Sequence, residues 1–333
     1  MTLWLTRIAG GFLGLLLAGV AAGAIAEQLA RLRAASAFPP PGRMVDIGGR
    51  RIQLDCRGQG SPLVVFEAND LGGSLGWASV QSRAAKTTRA CSYSRAGVMW
   101  SDPAPGIRND KAIAADLQAV LKVAGERPPF VLVGHSLGNL YNVAYTQQFG
   151  ADVAGLVMVD PAHPEQARRT EAITHRPFIV LAPAARLLAK LSWSGVPRLL
   201  MDMDDAPKDM EGAKAFASLS LAGMAKELDN FDQTLADASA AHDLGRRPLY
   251  ILTAMAPASE GALNETGMTA AEDRQFRIVW KALHDDEAHW SSNSQHRLVS
   301  DAGHRIQSDR PDLVAHAIES VVEAVRRGQK LRP

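Results

Sequence analysis

The sequence predicts an α/β fold: a mostly parallel, twisted sheet with helices on both faces, a helical cap insertion, and an apolar helix in front. Three observations lead there. Short, almost continuously apolar stretches alternate with segments of helical periodicity, the pattern of strands buried on both faces. One such strand runs directly into a serine fenced by glycines, "GHSLG". The chain also opens on a long run without charge, "IAGGFLGLLLAGVAAGAIA", from Ile8 to Ala26.

That run is preceded by Arg7 and followed by Glu27, Arg31 and Arg33. A membrane span needs ~20 mostly apolar residues, whereas a secretory signal core has only ~7–15. The helical pattern continues through "EQLARLR". Residues 1–34 are therefore read as an uncleaved single-span membrane anchor. The alternative is a signal peptide cut after Ala24-Ile25-Ala26, giving a secreted or periplasmic protein. Basic residues flank both ends, so charge does not assign the orientation. "FPPPGR" cannot continue a helix and makes residues 35–42 a stiff linker.

From Arg43 onward the elements follow in order. "RMVDIGGRRIQLDCRG" reads as two strands joined at Gly48-Gly49, a hairpin turn. "PLVVFEA" and "RACSYSR" are strands, and Ala112 to Ala124 is a helix. "PFVLVG" is a strand, and "LGNLYNVAYTQQFG" a helix stopped at Gly150. "VAGLVMVD" is the next strand. Residues 163–247 break the rhythm with Met- and Leu-rich helical pieces and prolines, and are read as a helical cap or lid between core segments 43–162 and 248–333. "PLYILTA" resumes the sheet, Ala270 to Leu283 is a helix, "QHRLVS" a strand and Pro311 to Arg326 the last helix.

The 333 residues are 47% hydrophobic and 21% charged, enough for one large domain with an insertion. The 36 basic and 35 acidic residues leave a net charge of +1 and no dense basic stretch, which argues against a nucleic-acid partner. The nine histidines form no metal-binding spacing. Cys56 and Cys91 are read as small buried apolar residues, with a disulfide left open because sequence does not supply their separation.

The serine follows from its placement. In Gly134-His135-Ser136-Leu137-Gly138 the nucleophile candidate sits on a sharp strand-to-helix turn. Such a turn exposes the hydroxyl and aims a helix N-terminus at a reacting carbonyl, and glycines on either side relieve the crowding. On this pentapeptide and its flanking elements the sequence resembles the α/β-hydrolase superfamily, and in particular its lipase- and esterase-like members, from about Arg43 to Arg326. The resemblance implies a triad in the order serine, acid, histidine. It assigns His304, in "DAGHRIQSDRP" after the last strand, as the base. His135 is then a neighbour of the nucleophile. His163, His175 and His242 border or lie in the insertion, His284, His289 and His316 fall in helical stretches, and His296 precedes the last strand's apolar core.

The acid has two candidates. Asp160 ends the strand after the nucleophile helix, in an Asp-Pro-Ala context that is similar to pancreatic-type lipases. Glu260 is the nearest carboxylate after "PLYILTA", where many relatives keep their acid, and lies in a stretch read as a mobile loop. Asp160 is preferred, since rigid elements hold catalytic geometry better than loops. For the oxyanion hole the resemblance implies the N–H of Leu137 and a second N–H from "NDLGGS", from Leu71 or Asp70; relatives often carry His-Gly where this chain has Asn69-Asp70. "YSRAGVMWSD" resembles a family motif, Tyr-Asp-Arg-x-Gly-x-Gly-x-Ser, with Ser94 in place of its Asp and Met99 in place of its second Gly. Trp77 and Trp100 are read as core residues that could also line an acyl pocket.

The expected function is a serine hydrolase that cleaves a small carboxylic ester, a lipid-derived one included, through an acyl-enzyme on Ser136, with no cofactor or metal. A Ser nucleophile argues against the dehalogenases and epoxide hydrolases of the superfamily, which use Asp. Acyltransferase, thioesterase, amidase and carbon–carbon hydrolase chemistry fit the same triad. The competing class is an inactive, membrane-tethered binding protein.

Overall fold

Helix α1 (Thr2–Ala37) runs for 36 residues without a break. It ends three residues later than the sequence suggested, because nothing before Pro39 stops it. In the computed structural model, which describes residues 2–68, 71–178, 183–200, 211–240 and 242–331, its segment Gly10–Ala37 has the length and composition to cross a membrane, and 6% of its most apolar stretch is buried. A signal sequence has the same properties. After the prolines comes a hairpin of β1 (Arg43–Asp46) and β2 (Arg51–Arg57). Its turn has both glycines at positive φ, and Asp46 Oδ1 accepts from the N–H groups of Gly48 and Gly49.

The core elements continue with β3 (Leu63–Glu67), α2 (Ala78–Ala84), β4 (Ala90–Tyr93), α3 (Asp110–Ala124), β5 (Phe130–His135), α4 (Gly138–Gln148) and β6 (Val153–Val159). The insertion carries α5 (Gln166–Thr174), α6 (Pro183–Lys190), α7 (Val196–Leu200), α8 (Glu211–Leu228) and α9 (Phe231–Ala240). The core resumes with β7 (Leu249–Ala254), α10 (Glu260–Thr266), α11 (Ala270–Ala288), β8 (Ser294–Val299), α12 (Ile306–Asp309) and α13 (Pro311–Arg327).

The eight strands form one sheet in the order β1-β2-β4-β3-β5-β6-β7-β8. Only β1–β2 and β2–β4 pair antiparallel. The side chains of β5 explain why its sequence is apolar throughout. Phe130 and Leu132 pack with Leu117, Leu121, Val143 and Tyr145 of α3 and α4. Val131 and Val133, on the other face, pack with Val314, Ile318 and Val321 of α13. Burying each such side chain stabilises the fold by about 1.5–3 kcal/mol, and a truncation such as Leu132→Ala costs about 2–5 kcal/mol.

Two local expectations are corrected. Cys56 and Cys91 form a disulfide, with Cα atoms 4.0 Å apart. They face each other in the β2–β4 register, and that pairing depends on β2 lying beside β4, which no local pattern announces. The stretch after β7 that carries Glu260 is helix α10, not a loop. Ser259 Oγ accepts from Ala262 N at its start, and Gly267, at φ +65°, stops it. The helices α2 and α12 are too short to show helical periodicity.

The parallel topology places the carboxyl ends of β3, β5, β6, β7 and β8 along one edge. The cap lies over that edge. Leu137 and Tyr141 of the core pack with Leu228, Phe231 and Leu235 of the cap. Helix α1 joins the assembly at its C-terminal end, where Ala34 and Phe38 pack with Ala213 and Phe216 of α8 and with Met99.

Candidate active site

Ser136 stands between β5 and α4 at φ +52°. This left-handed conformation is costly for a residue with a side chain, and it is held from several directions. Ser136 N donates to Val159 O at 3.1 Å, and Ser136 O accepts from Ala162 N at 3.1 Å and from Asn139 N at 3.1 Å. The flanking glycines are steric requirements. A Cβ on Gly134 would lie 2.7 Å from the side chains of Asn139 and Asn142, and one on Gly138 would lie 2.8 Å from Glu67 O. Leu137 leads into α4, whose first N–H groups have no partner within the helix.

Asp160 follows β6 and also has a positive φ, +41°. Its N–H donates to Leu252 O of β7 at 2.8 Å. The buried carboxylate accepts from Ala254 N at 2.8 Å and from Trp280 Nε1 at 3.0 Å, both at Oδ1. Its other oxygen, Oδ2, lies 2.6 Å from His304 Nδ1. Burial pushes the Asp160 carboxyl up, but the hydrogen bond and charge of His304, with His284 and the Ala254 N–H, outweigh it and hold the group below its usual range. An ionised Asp160 can only accept, so His304 carries its proton on Nδ1 and leaves Nε2 free to accept. The His304 side chain is 51% exposed.

His304 is positioned by a residue that the sequence marked only as a neighbour. His135 Nε2 donates to His304 O at 2.8 Å, and the two rings lie 4.6 Å apart. Burial, and then the nearness of His304, push the His135 imidazole down to about 3, so it stays neutral. The loop of His304 is further tied by Gly303 N to Asp309 Oδ2 and by Ala256 N to Ala302 O. Neither His135 as a brace nor Trp280 as a donor to Asp160 has a sequence signal, since both contacts span more than 100 residues.

The structure therefore brings His304 and Asp160 into contact at the edge where Ser136 is presented. Glu260 is not part of this group: it lies exposed in the first turn of α10, while the His304 ring is bonded to Asp160. Of the oxyanion candidates, Asp70 lies outside the described residues. Leu71 is described, and its side chain packs against Ala189, Leu221 and Ala225 of the cap. His163 bonds to Asp286 and His284 to Pro161 O, so neither is directed at Ser136. Trp77 packs on Phe66 in the core, and Trp100 on Phe216 of the cap.

Beside the site, at the end of β3, lies a buried ionic cluster. Arg95 donates to Glu67 Oε1 at 2.6 Å, to Ala68 O, and to both oxygens of Glu227 on α8 at 2.9 and 3.0 Å. Tyr93 OH donates to Glu67, and the guanidinium lies over the Tyr141 ring. Burial pushes the Glu67 carboxyl up to about 6 despite Arg95. The motif residues next to it are structural. Met99 takes φ +52°, a conformation suited to the glycine it replaces, and Ser94 Oγ donates to Gln53 and accepts from Ser74 N. One group of potential metal ligands, Cys56, Cys91 and Glu126, comes together elsewhere, but its two sulfurs are bonded to each other.

A strained serine after a parallel strand, with a histidine–carboxylate contact at the same edge of the sheet, is an arrangement of hydrolytic α/β folds. The model of the alpha/beta hydrolase family matches residues 35–317; the chain belongs to that family and is a hydrolase of that type. It is 24% identical to the uncharacterized protein YqjL of Bacillus subtilis, over 80% of this chain and 85% of that one. It is 32% identical over 127 residues to the probable transporter efuK of Hormonema carpetanum, a match that covers 36% of this chain and only 18% of the transporter. Among solved structures, a thermophilic esterase from Thermogutta terrifontis superposes with a TM-score of 0.59 at 18% identity, covering 85% of this chain and 98% of that one. That likeness shows the fold.

Proposed function

We propose that the protein is a serine hydrolase that cleaves carboxylic esters. The observation that carries this reading is the 2.6 Å contact of His304 Nδ1 with the buried Asp160 carboxylate, at the edge where the elbow presents Ser136. Ser136 Oγ attacks the ester carbonyl as His304 Nε2 takes its proton. Asp160 holds the imidazole in that tautomer and stabilises its charged form. The N–H of Leu137, and a second N–H at Leu71, receive the oxyanion. Collapse of the tetrahedral intermediate expels the alcohol, which takes the proton from His304, and leaves an acyl group on Ser136. Water, deprotonated by His304, then releases the acid.

We also read α1 as an anchor that holds this domain at a membrane. The Cys56–Cys91 disulfide supports an oxidising compartment for the domain. Hydrolysis of nitrophenyl esters by the purified full chain tests the chemistry. Ser136→Ala should lower turnover on the order of 10⁶-fold with an unchanged circular dichroism spectrum. Full residual turnover would sink the reading.

A further inference from the structure

The cap carries a cluster of exposed apolar side chains that the hydrolytic chemistry does not use. Of the nine exposed large apolar side chains among the described residues beyond α1, five lie in one segment: Leu187, Trp193, Val196, Leu199 and Leu200. Leu199 is 85% exposed and Leu200 66%. They belong to α6, to the 3-10 turn Ser192–Ser194 and to α7. Water around five such groups in one segment is unfavourable, and a concentration of exposed apolar side chains of this kind marks a binding surface.

The patch is fastened to α1 at the end of the apolar run. A Cβ on Gly23 would lie 2.4 Å from Ser194 O, so the turn bearing Trp193 touches the α1 backbone there. Arg31 donates to Ser192 O at 2.8 Å. Arg198 of α7 donates to Glu27, which also pairs with Arg31 and is 1% exposed. The one acid at the end of the run is thus neutralised against the cap. Beyond it the exposed side of α1 is mixed, with Leu29 and Leu32 beside Gln28 and Arg33, as suits a helix that is leaving the apolar layer.

Length sets the level of the patch. The run from Ile8 to Ala26 rises ~28 Å at ~1.5 Å per residue, close to the ~30 Å of a hydrocarbon core. Gly23 therefore lies within about one turn of the membrane boundary, where tryptophan is favoured. We infer that the α6–α7 tip of the cap dips into the lipid bilayer that α1 spans. The cap is then a second membrane contact of the domain. This rests on reading α1 as a membrane helix and not on the ester chemistry.

The test is done on the full chain in phosphatidylcholine vesicles. The native cysteines are joined to each other, so Leu199→Cys can be labelled with an environment-sensitive NBD probe. Val123→Cys, 58% exposed on α3, is the control. The probe at 199 should emit to the blue of the probe at 123, be quenched several-fold less by aqueous iodide, and be quenched by spin-labelled lipid. Equal iodide quenching at the two positions, in protein that stays with the vesicles after a carbonate wash, overturns the inference alone. Release of the protein by carbonate overturns the anchor reading and the inference with it. Neither readout requires turnover, so failure of the ester reading would leave both outcomes legible.

Discussion

Two buried carboxylates stand at the same edge of the sheet, Asp160 after β6 and Glu67 at the end of β3, and their surroundings treat charge in opposite ways. Asp160 faces donors only: the Ala254 N–H, the Trp280 indole and the His304 ring. They hold its carboxyl below the usual range against the cost of burial. Glu67 shares the single cation Arg95 with a second acid, Glu227, and is pushed up to about 6. One end of the edge keeps a fixed negative charge beside an exposed imidazole. The other ties the sheet, the Ala68 carbonyl and the cap helix α8 together. The difference shows that burial alone does not set the charge of a carboxyl group; the number and direction of its donors do.

The comparison can be broken by mutation, and the largest effect belongs to the first end. Asp160→Asn should cut ester turnover by roughly 10⁴-fold, as loss of the orienting acid does in a serine triad, with the thermal midpoint within a few degrees. Glu260→Gln should leave the rate nearly unchanged. Rates in the reverse order would move the acid to α10.

At the second end, Arg95→Met leaves Glu67 and Glu227 buried without their cation. Breaking a buried ionic group in this way costs about 3–5 kcal/mol, read as a lower midpoint in urea unfolding. A loss of under about 1 kcal/mol on the same scale would show that the clasp between cap and sheet is not structural.

The smallest effect is in the pH dependence. His135 and His284 are pushed by burial to about 3 and about 4. The unfolded chain therefore takes up protons on them before the folded one, and stability falls as pH drops below the ordinary histidine range. Glu67 acts the other way. Raised to about 6 from a usual 4.5, it gains its proton first in the folded state, so its contribution is full below 4.5 and lost as pH rises through 6. Glu67→Gln removes that compensation, and the thermal midpoint should drop more steeply between pH 6 and 4.5 than in the parent. An unchanged slope would remove the contrast between the two carboxylates.

What the sequence revealed follows the range of each interaction. The strand–turn–helix around Ser136 was legible because its residues are contiguous, and the sequence offered Asp160 and His304, which the structure brings into contact, as candidates because both follow strand ends. The disulfide was not, since it needs β2 placed between β1 and β4. Helix α10 was missed because Ala, Pro, Ser and Gly around Glu260 look like a loop, although Ser259 and Gly267 are ordinary start and stop residues. The Arg95 clasp reaches Glu227, inside the insertion, across 132 residues, and His135 braces His304 across half the chain. Neither has a local pattern.

The account stands most directly on Ser136 being activated by the pair behind it. A fluorophosphonate probe reacts only with an activated serine, and tandem mass spectrometry locates its adduct. The account predicts a single adduct on Ser136 in the full chain, none in Ser136→Ala, and strongly slowed labelling in Asp160→Asn. An adduct on another serine, or labelling of Asp160→Asn at the parent rate, would contradict it.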